Sequence, residues 1–381
     1  MANFYASKDW VIILPPDTPE VKKAAGDLSR YIGLLAGYTE GAAETMMGRS
    51  SPPGGVVQKL PALLNAGDPM PSDAVSTIIL SRENSSSLRN GFRWKAGTDR
   101  IEIHGESGRG LCNGIYSFLG ALGLSWPAPG QEILPSPQVT NLRVFALSTA
   151  VNIDSVGDSV CEPSNYEGND PISAPWRRFI PAGKDDVKWA LKRSEAFVAW
   201  AARRRYDALI FPLEDFSGRN TGRKLNELRK LAGEYDIVLE AGGPNLSLLV
   251  PRRFFLFRRD SFRMEGGRRR RDHHFCPTNP GTIQIIAKEG EKLFRAAAGS
   301  KIFHLWPDKG ASAAWCSCSC CRAFTPAEQN RIGVNAAADV LSAVDLDASV
   351  TFLEKPGEGE NVPLRNNLFR LEKLPEEKEF R

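Results

Sequence analysis

Acidic side chains follow several of the apolar strands that this sequence predicts. They are Asp154, Glu214, Asp215, Glu240, Asp308 and Glu354. In a parallel βα barrel the carboxyl ends of the strands converge on one face, so acids at these positions share a mouth suited to proton transfer. Hydrolysis of a glycosidic bond uses one carboxylic acid to protonate the leaving oxygen and a second group to stabilise or attack the anomeric carbon. The pattern predicts this chemistry. The alternative is that each acid caps a helix or faces solvent.

Asp308 is the preferred catalytic acid among these carboxylates. It follows an apolar strand that runs into an aromatic-flanked turn. Trp306 and Trp315 lie close to it in the sequence and offer flat faces on which a sugar ring stacks. Ordinary packing in the core or at its rim is the alternative for each tryptophan. Glu240 and Asp215 are the candidate catalytic partners of Asp308.

A cysteine motif follows directly after Asp308. Cys316, Cys318 and Cys321 form the pattern C-x-C-x-x-C. Three thiolates at this spacing suit a structural zinc ion, for which a fourth ligand is needed. The candidates for that ligand are Cys320, Cys276, His273 and His274. Free thiols or a disulfide are the alternative, and in each case the motif is expected to hold the loop beside the predicted mouth.

The first 140 residues predict a small α/β domain. Apolar periodicity indicates two strands, a hairpin around Gly97 and two amphipathic helices. The predicted elements are a strand at Trp10–Leu14, a helix over Val21–Leu35, a strand at Ser76–Leu80, hairpin strands at Gly91–Ala96 and Arg100–His104, and a helix over Leu111–Leu122. The polar stretch from Gly37 to Ser72 is predicted as loop with at most a short helix around Leu60–Leu64.

Residues 149–381 alternate short apolar strands with longer helices, which predicts βα units around a parallel sheet. Six strands are predicted: Ala150–Ile153, Ala208–Leu213, Ile237–Leu239, Lys301–Trp306, Ser349–Leu353 and Asn367–Leu371. A complete βα barrel has eight strands in about 250 residues. The barrel is therefore expected to be open, shortened or completed by another chain, and a homo-oligomer is among the expected assemblies. The segment from Gly242 to Asn279 exceeds an ordinary connection, as functional loops often do.

The composition is that of a globular chain with balanced charge. Its 381 residues carry a net charge of +4, which predicts neither a nucleic-acid partner nor a membrane partner. The run Arg268–Arg271 is interpreted as a solvated loop because no aromatic residues interleave it. The apolar stretch Val11–Leu14 is too short for a signal peptide or a membrane span, which predicts a cytoplasmic protein.

Several segments together resemble a known family. They are Gly105–Pro135, with its Gly-Arg-Gly-Leu and Trp-Pro-Ala-Pro-Gly motifs; Phe275–Pro280; and Trp306–Asp308 followed by the cysteine motif. They are similar to a bacterial domain-of-unknown-function family of glycoside-hydrolase-like proteins, distantly allied to α-glucuronidases and β-hexosaminidases. The resemblance implies a non-catalytic N-terminal α/β domain over residues 1–140 and a TIM-barrel-like domain over residues 149–381. It also implies hydrolase activity. Asn279, within the segment Phe275–Pro280, is a candidate substrate-binding residue.

Two functions fit these residues. The first is hydrolysis of a carbohydrate, either a uronide or an N-acetylhexosaminide, in which Arg263 and Arg268 hold a substrate carboxylate bidentately. The second is a degenerate barrel that binds carbohydrate or a protein partner without cleaving it. The low strand count favours the second function, as does Lys309, which follows Asp308 where related sites place a second acid. Neither function requires a cofactor.

Overall fold

A computed structural model of the chain describes residues 3–16, 18–38, 60–70, 76–82, 90–138, 144–147, 151–154, 177–181, 183–308, 315–355, 357–371 and 377–378. The fold is α/β, with a small N-terminal α/β domain followed by a TIM-barrel-like domain. This agrees with the fold class predicted from the sequence. None of the helices in these ranges is both long and apolar enough to cross a membrane.

The N-terminal domain is built on a six-stranded sheet with two helices. Its strands are β1 (Asn3–Tyr5), β2 (Trp10–Leu14), β3 (Ala62–Asn65), β4 (Ser76–Arg82), β5 (Phe92–Ala96), β6 (Arg100–Gly105), β7 (Val144–Ala146) and β8 (Val151–Asp154), and its helices are α1 (Val21–Ala36) and α2 (Gly108–Ala121). The spatial order is β3-β2-β4-β6-β5-β8. Strands β3, β2, β4 and β6 pair in parallel, whereas β5 pairs antiparallel with both neighbours. A separate antiparallel pair joins β1 to β7.

Local sequence signals account for the ends of both helices. Helix α1 ends before Gly37, whose φ of 97° is a left-handed conformation that glycine adopts without strain. Helix α2 begins after Ser107, whose side chain accepts a hydrogen bond from the backbone N–H of Gly110. The apolar faces of the two helices are buried together against the sheet. The predicted hairpin and both helices are confirmed.

Two predictions for this part of the chain are wrong. The short helix expected around Leu60–Leu64 is instead the edge strand β3, whose backbone pairs in parallel with β2. The strand predicted at Ala150–Ile153 as the first of the barrel is β8, and it pairs antiparallel with β5 in the N-terminal sheet. Asp154 therefore ends a strand of the N-terminal sheet. A short apolar run carries no information about which sheet it joins, because the partner strand decides that.

The second sheet has seven strands, all paired in parallel. They are β9 (Arg178–Pro181), β10 (Ala208–Phe211), β11 (Val238–Pro244), β14 (Ile302–Trp306), β15 (Ser349–Leu353), β16 (Leu368–Leu371) and β17 (Glu377–Lys378). The spatial order is β16-β15-β14-β11-β10-β9-β17. Strands β9 and β17 were not predicted. Strand β9 begins with Arg178, and a charged residue masks the apolar signal of so short a strand.

Helices and a hairpin connect these strands. The helices are α3 (Lys184–Lys192), α4 (Ser194–Arg203), α5 (Leu213–Ser217), α6 (Arg219–Gly233), α7 (Pro280–Ala296) and α8 (Pro326–Val344). The long connection from β11 to α7 contains the hairpin of β12 (Met264–Glu265) and β13 (Arg268–Arg269) and three short 3-10 turns, Leu246–Leu249, Arg252–Leu256 and Arg259–Ser261. Gly242 lies near the end of β11, where an added Cβ would be 2.0 Å from the carbonyl oxygen of His304 on β14. Only glycine permits that close approach.

The interior of the barrel has an apolar part and a polar part. The apolar side chains form one cluster: Ile180, Ile210, Ile302, Trp306 and Leu371. The polar side chains are also fully or almost fully buried: Arg178, Glu240, His304 and Thr351. Because side chains alternate along a strand, both sets occupy the inward-facing positions of their strands.

A buried ion pair joins the two domains. Arg109 on α2 is 2% exposed, and its Nε lies 3.4 Å from Oδ1 of Asp207, just before β10. The same guanidinium donates to the carbonyl oxygens of Ala202 and Tyr235. Asn113 donates to Asp207 as well. The domain limits themselves, residues 1–140 and 149–381, stay a prediction.

Candidate active site

Asp308 lies two residues beyond the end of β14, at the carboxyl edge of the barrel sheet. Its side chain is 19% exposed. Oδ1 accepts a hydrogen bond of 2.9 Å from the hydroxyl of Ser247, which lies in the turn after β11. Oδ2 accepts a longer one, 3.5 Å, from the backbone N–H of His274. Both carboxylate oxygens are therefore oriented by donors from the connection between β11 and α7.

His274 is held in an unusual conformation beside this carboxylate. Its φ is 52°, a left-handed value that costs a residue other than glycine about 1–3 kcal/mol. The imidazole ring stacks on Trp315, with ring centroids 4.2 Å apart and planes 4° from parallel. Burial, reinforced by the nearby charges of His273 and Arg263, lowers the pKa of His274 to about 3. The ring is therefore neutral at physiological pH.

Several buried polar atoms of the connection between β11 and α7 have no hydrogen-bond partner among the described residues. Among them are Oδ1 of Asn245, Nη2 of Arg252 and Nδ1 of His274. Nδ1 of His274 lies 3.9 Å from Oδ2 of Asp308, and Nη1 of Arg252 donates to the carbonyl oxygen of His274. Buried polar atoms are nearly always paired, so a group of unpaired ones marks a place where water or a ligand supplies the partners.

A second acidic group follows β10. Asp215 is half-buried in α5, and burial, followed by the neighbouring Glu214 carboxylate, raises its pKa against a smaller opposing effect of Lys184. Asn245 donates a hydrogen bond of 3.2 Å to Glu214. Since Asn245 is two residues from Ser247, this bond links the end of β10 to the segment that binds Asp308. The structure therefore brings the acids after β10 and β14 to one edge of the barrel.

Glu240, the other predicted catalytic partner, lies inside the barrel. It is 0% exposed, and Arg178 donates to both of its oxygens, at 2.8 Å and 3.2 Å. Nε2 of His304 lies 2.8 Å from Oε2 of Glu240, and Nδ1 of His304 lies 2.7 Å from the hydroxyl of Thr351. Glu354 is likewise buried, with Arg331 bound to both of its oxygens. Neither carboxylate is open to the mouth.

Neither predicted aromatic platform presents a free ring face. Trp306 is 0% exposed in the barrel interior, where its indole N–H donates to the hydroxyl of Thr351. Trp315 is 8% exposed and packs on His274 and Phe275. Packing, which the sequence left open as the alternative, describes the environment of both rings.

The two predicted substrate-binding arginines, Arg263 and Arg268, lie just before and within the hairpin of β12 and β13. Arg263 is bound bidentately by Asp272, with a further contact of 3.3 Å to Glu265. Arg268 is exposed in the hairpin of β12 and β13. Arg252, which the sequence analysis did not select, donates to the carbonyl oxygen of His274 and interacts electrostatically with Asp308. Nothing in the sequence distinguishes it from its neighbour Arg253.

Asn279 occupies the N-cap of α7, where its side chain accepts from the backbone N–H of Thr282. We predict that Asn279→Ala destabilises the protein by about 0.5–2 kcal/mol, the usual cost of losing such a cap. Urea unfolding of the two proteins measures the difference. Asn279→Ser is the matched control, because serine also caps a helix and should retain most of the stability. A sugar affinity lost in Asn279→Ser at parental stability would instead favour the substrate contact.

The cysteine motif gains its fourth member from the β11–α7 connection. Cys276, Cys316, Cys318 and Cys321 are all buried, and their sulfur atoms lie within 4.8 Å of one another. Cys320 is exposed. Four residues were candidates for a fourth ligand. Among them, Cys276 is the one whose sulfur lies beside the three sulfurs of the motif.

Comparison with solved structures shows a glycoside-hydrolase-like fold. A family 20 β-N-acetylhexosaminidase from Streptomyces coelicolor A3(2) matches with a TM-score of 0.50 at 12% identity, over 97% of this chain and 65% of that one. A chitobiase from Flavobacterium johnsoniae matches with a TM-score of 0.52 at 12% identity, over 96% of this chain and 52% of that one. A family 20 exo-β-N-acetylglucosaminidase from Vibrio harveyi, solved with N-acetylglucosamine, matches with a TM-score of 0.50 at 11% identity, over 93% and 53%.

These similarities extend to the fold and no further. The chain spans between about half and two thirds of the length of these three structures. No protein-family model matches the sequence, and a search of curated proteins finds no match. The predicted resemblance to β-hexosaminidases is therefore supported for the fold alone. The link to a family of unknown function and to α-glucuronidases stays a prediction.

Proposed function

We propose that this chain is a glycoside hydrolase whose substrate binds at the carboxyl edge of the barrel, between Asp215 and Asp308. The observation that carries the proposal is the environment of Asp308: two donors orient its carboxylate, and Nδ1 of His274, which has no hydrogen-bond partner among the described residues, lies 3.9 Å from it. A glycoside hydrolase needs an oriented carboxylate next to polar groups that are available to bind the substrate.

The two acids differ in their surroundings. Asp308 accepts hydrogen bonds on both oxygens, which orient its carboxylate to stabilise or attack the anomeric carbon. Asp215, whose pKa is raised by burial, suits the proton donor to the leaving oxygen. The sequence interpretation made Asp308 the acid. The hydrogen bonds favour the reverse division of roles.

The arginine beside Asp308 bears on the choice of sugar. Burial lowers the pKa of Arg252 below its usual value, although Asp308 and Asp272 act in the opposite direction. One amino group of its guanidinium has no hydrogen-bond partner among the described residues. A free amino group on a partly buried guanidinium is suited to a carboxylate. A uronide is therefore the proposed substrate, ahead of an N-acetylhexosaminide.

A carbohydrate-binding barrel without hydrolytic activity is the second candidate. The ion pair that removes Glu240 from the mouth favours it, because one of the predicted acids is then unavailable. Aryl uronides, aryl N-acetylhexosaminides and the matching free sugars separate the two functions. We expect the protein to hydrolyse an aryl uronide and to release the aryl alcohol. Calorimetric binding of the sugar with no turnover would favour the second candidate, and neither binding nor turnover would exclude both.

The raised pKa of Asp215 predicts a specific pH profile. A general acid acts in its protonated form, so kcat/KM should fall as the pH rises through the pKa of Asp215, above the ordinary aspartate value of about 3.9. Asp215→Asn should lower the rate and remove this alkaline limb. In the matched control Glu214→Gln, one repelling charge is lost and the limb should move to lower pH. If the alkaline limb of the pH profile were unchanged in Asp215→Asn, the proton donor would be another group.

A further inference from the structure

We infer that Cys276, Cys316, Cys318 and Cys321 form a tetrathiolate zinc site that holds together the two loops of the candidate active site. Cys276 belongs to the connection between β11 and α7, and the other three belong to the connection between β14 and α8. All four residues are less than 8% exposed. The inference rests on the geometry of the sulfurs and is independent of the proposed hydrolase function.

The distances between sulfur atoms match a tetrahedral metal site. Sγ of Cys276 lies 3.7 Å from that of Cys318 and 3.6 Å from that of Cys321. Four thiolates at the usual Zn–S distance of about 2.3 Å form a tetrahedron whose sulfurs are about 3.8 Å apart. A disulfide needs about 2.05 Å. The cluster is therefore too wide for disulfides and has the width of a zinc tetrahedron.

The surroundings of the sulfurs suit thiolates. The backbone N–H of Met264 donates to Cys316 at 3.2 Å, and that of Cys321 donates to Cys318 at 3.5 Å. Nη1 of Arg269 lies 3.7 Å from the sulfur of Cys316. Four thiolates around Zn²⁺ leave a net charge of about −2, which donors of this kind stabilise.

The loop that carries three of the cysteines is already fixed by the protein. Gln329 on α8 is 4% exposed, and its amide accepts from the backbone N–H of Cys316 and donates to the carbonyl oxygens of Cys316 and Cys321. The backbone N–H of Ser317 donates to the carbonyl oxygen of Met264 in the opposite loop. A preformed set of ligands binds a metal without a large ordering cost.

The position of the cluster gives the metal a structural role at the mouth. Cys276 lies two residues after His274, whose N–H donates to Asp308. Cys316 directly follows Trp315, which stacks on His274. A zinc ion would therefore join the segments that position His274 and Trp315 beside Asp308. None of the four sulfurs lies within hydrogen-bond distance of Asp308 among the contacts of the described residues.

Metal analysis of the full chain tests the site without any substrate. We expect about one equivalent of zinc in protein purified without chelator, and less than about one tenth of an equivalent in Cys276→Ser. Cys320→Ser is the matched control, because Cys320 is exposed and outside the cluster, and should keep its zinc. Cobalt added to the metal-free parent should produce thiolate-to-cobalt charge-transfer absorption, which Cys276→Ser should lack.

Two further measurements on the parent avoid reliance on a variant that fails to fold. A mercurial reagent should release zinc as about four thiols react per ion. Removal of the metal should speed amide exchange about tenfold or more around residues 274–276 and 316–321. The inference is overturned by a parent with less than about one tenth of an equivalent of zinc that takes up no cobalt, by iron in place of zinc, or by equal loss of zinc in Cys320→Ser. Because none of these readouts uses turnover, they stand whether or not the chain hydrolyses a glycoside.

Discussion

Asp308→Asn should lower kcat/KM on an aryl uronide by about 10²–10⁴-fold, the range by which positioned proton-transfer and electrostatic groups accelerate reactions. Asparagine keeps the shape of the side chain and one acceptor oxygen, so the hydrogen bond from Ser247 can persist. The carboxylate charge is lost, and with it the stabilisation of positive charge at the anomeric carbon. Steady-state kinetics on the two proteins measure the effect.

The leaving group separates the roles of the two acids in this experiment. If Asp308 is the carboxylate that faces the anomeric carbon, the loss should be similar for activated and unactivated leaving groups. Asp215→Asn should instead lose little activity on activated aryl substrates, because their leaving groups depart with little protonation. Asp339→Asn is the matched control: this exposed aspartate is paired with Arg365, far along α8 from its start, and should leave the rate unchanged. Parental activity of Asp308→Asn on an unactivated glycoside would remove Asp308 from the mechanism.

Glu240→Gln should destabilise the protein by about 3–5 kcal/mol, because it removes the carboxylate that forms a buried ion pair with Arg178. The side chains of Arg178 and Glu240 are 1% and 0% exposed, so water cannot compensate for the lost carboxylate. Urea unfolding at neutral pH measures the difference. Glu102→Gln is the matched control: its ion pair with Arg100 is largely exposed and should contribute less than about 1 kcal/mol.

The pH dependence gives a second test of this ion pair. Burial alone would raise the pKa of Glu240, but Arg178 and His304 outweigh it and lower the pKa to about 2. Since the folded-state pKa is below the unfolded value of about 4.3, the stabilisation is complete above that pH and is lost as the pH falls toward 2. The difference between the parent and Glu240→Gln should therefore shrink on acidification. A constant difference, or loss of activity with no loss of stability, would return Glu240 to the list of catalytic candidates.

The sequence alone predicted the fold class and both helices of the N-terminal domain. Periodicity in apolar residues is a local property, so the amphipathic helices α1 and α2 and the hairpin of β5 and β6 were found within a few residues of their ends. The same signal indicated βα units in the second half of the chain. Strand-end acids and the cysteine motif also pointed to Asp308 and to its neighbouring loop.

Membership of a sheet was decided by tertiary structure. Strand β8 is as short as a barrel strand, yet it pairs with β5. Strand β9 was missed because Arg178 begins it, and in the barrel interior this arginine donates to both oxygens of Glu240. A strand's partners are set by contacts between distant segments, and a single segment carries no record of them.

Tertiary structure also separated the acids that the sequence had treated alike. Glu240 lies within β11, and its side chain takes an inward position among Arg178 and His304. Asp308 lies two residues past the end of β14 and reaches the mouth. The connection between β11 and α7 folds back over the edge of the barrel. It therefore places Cys276 beside the cysteine motif and Arg252 beside the segment that binds Asp308. Residue type and order along the chain determine which chemistry is available, whereas burial and the charges brought alongside by folding determine which groups can perform it.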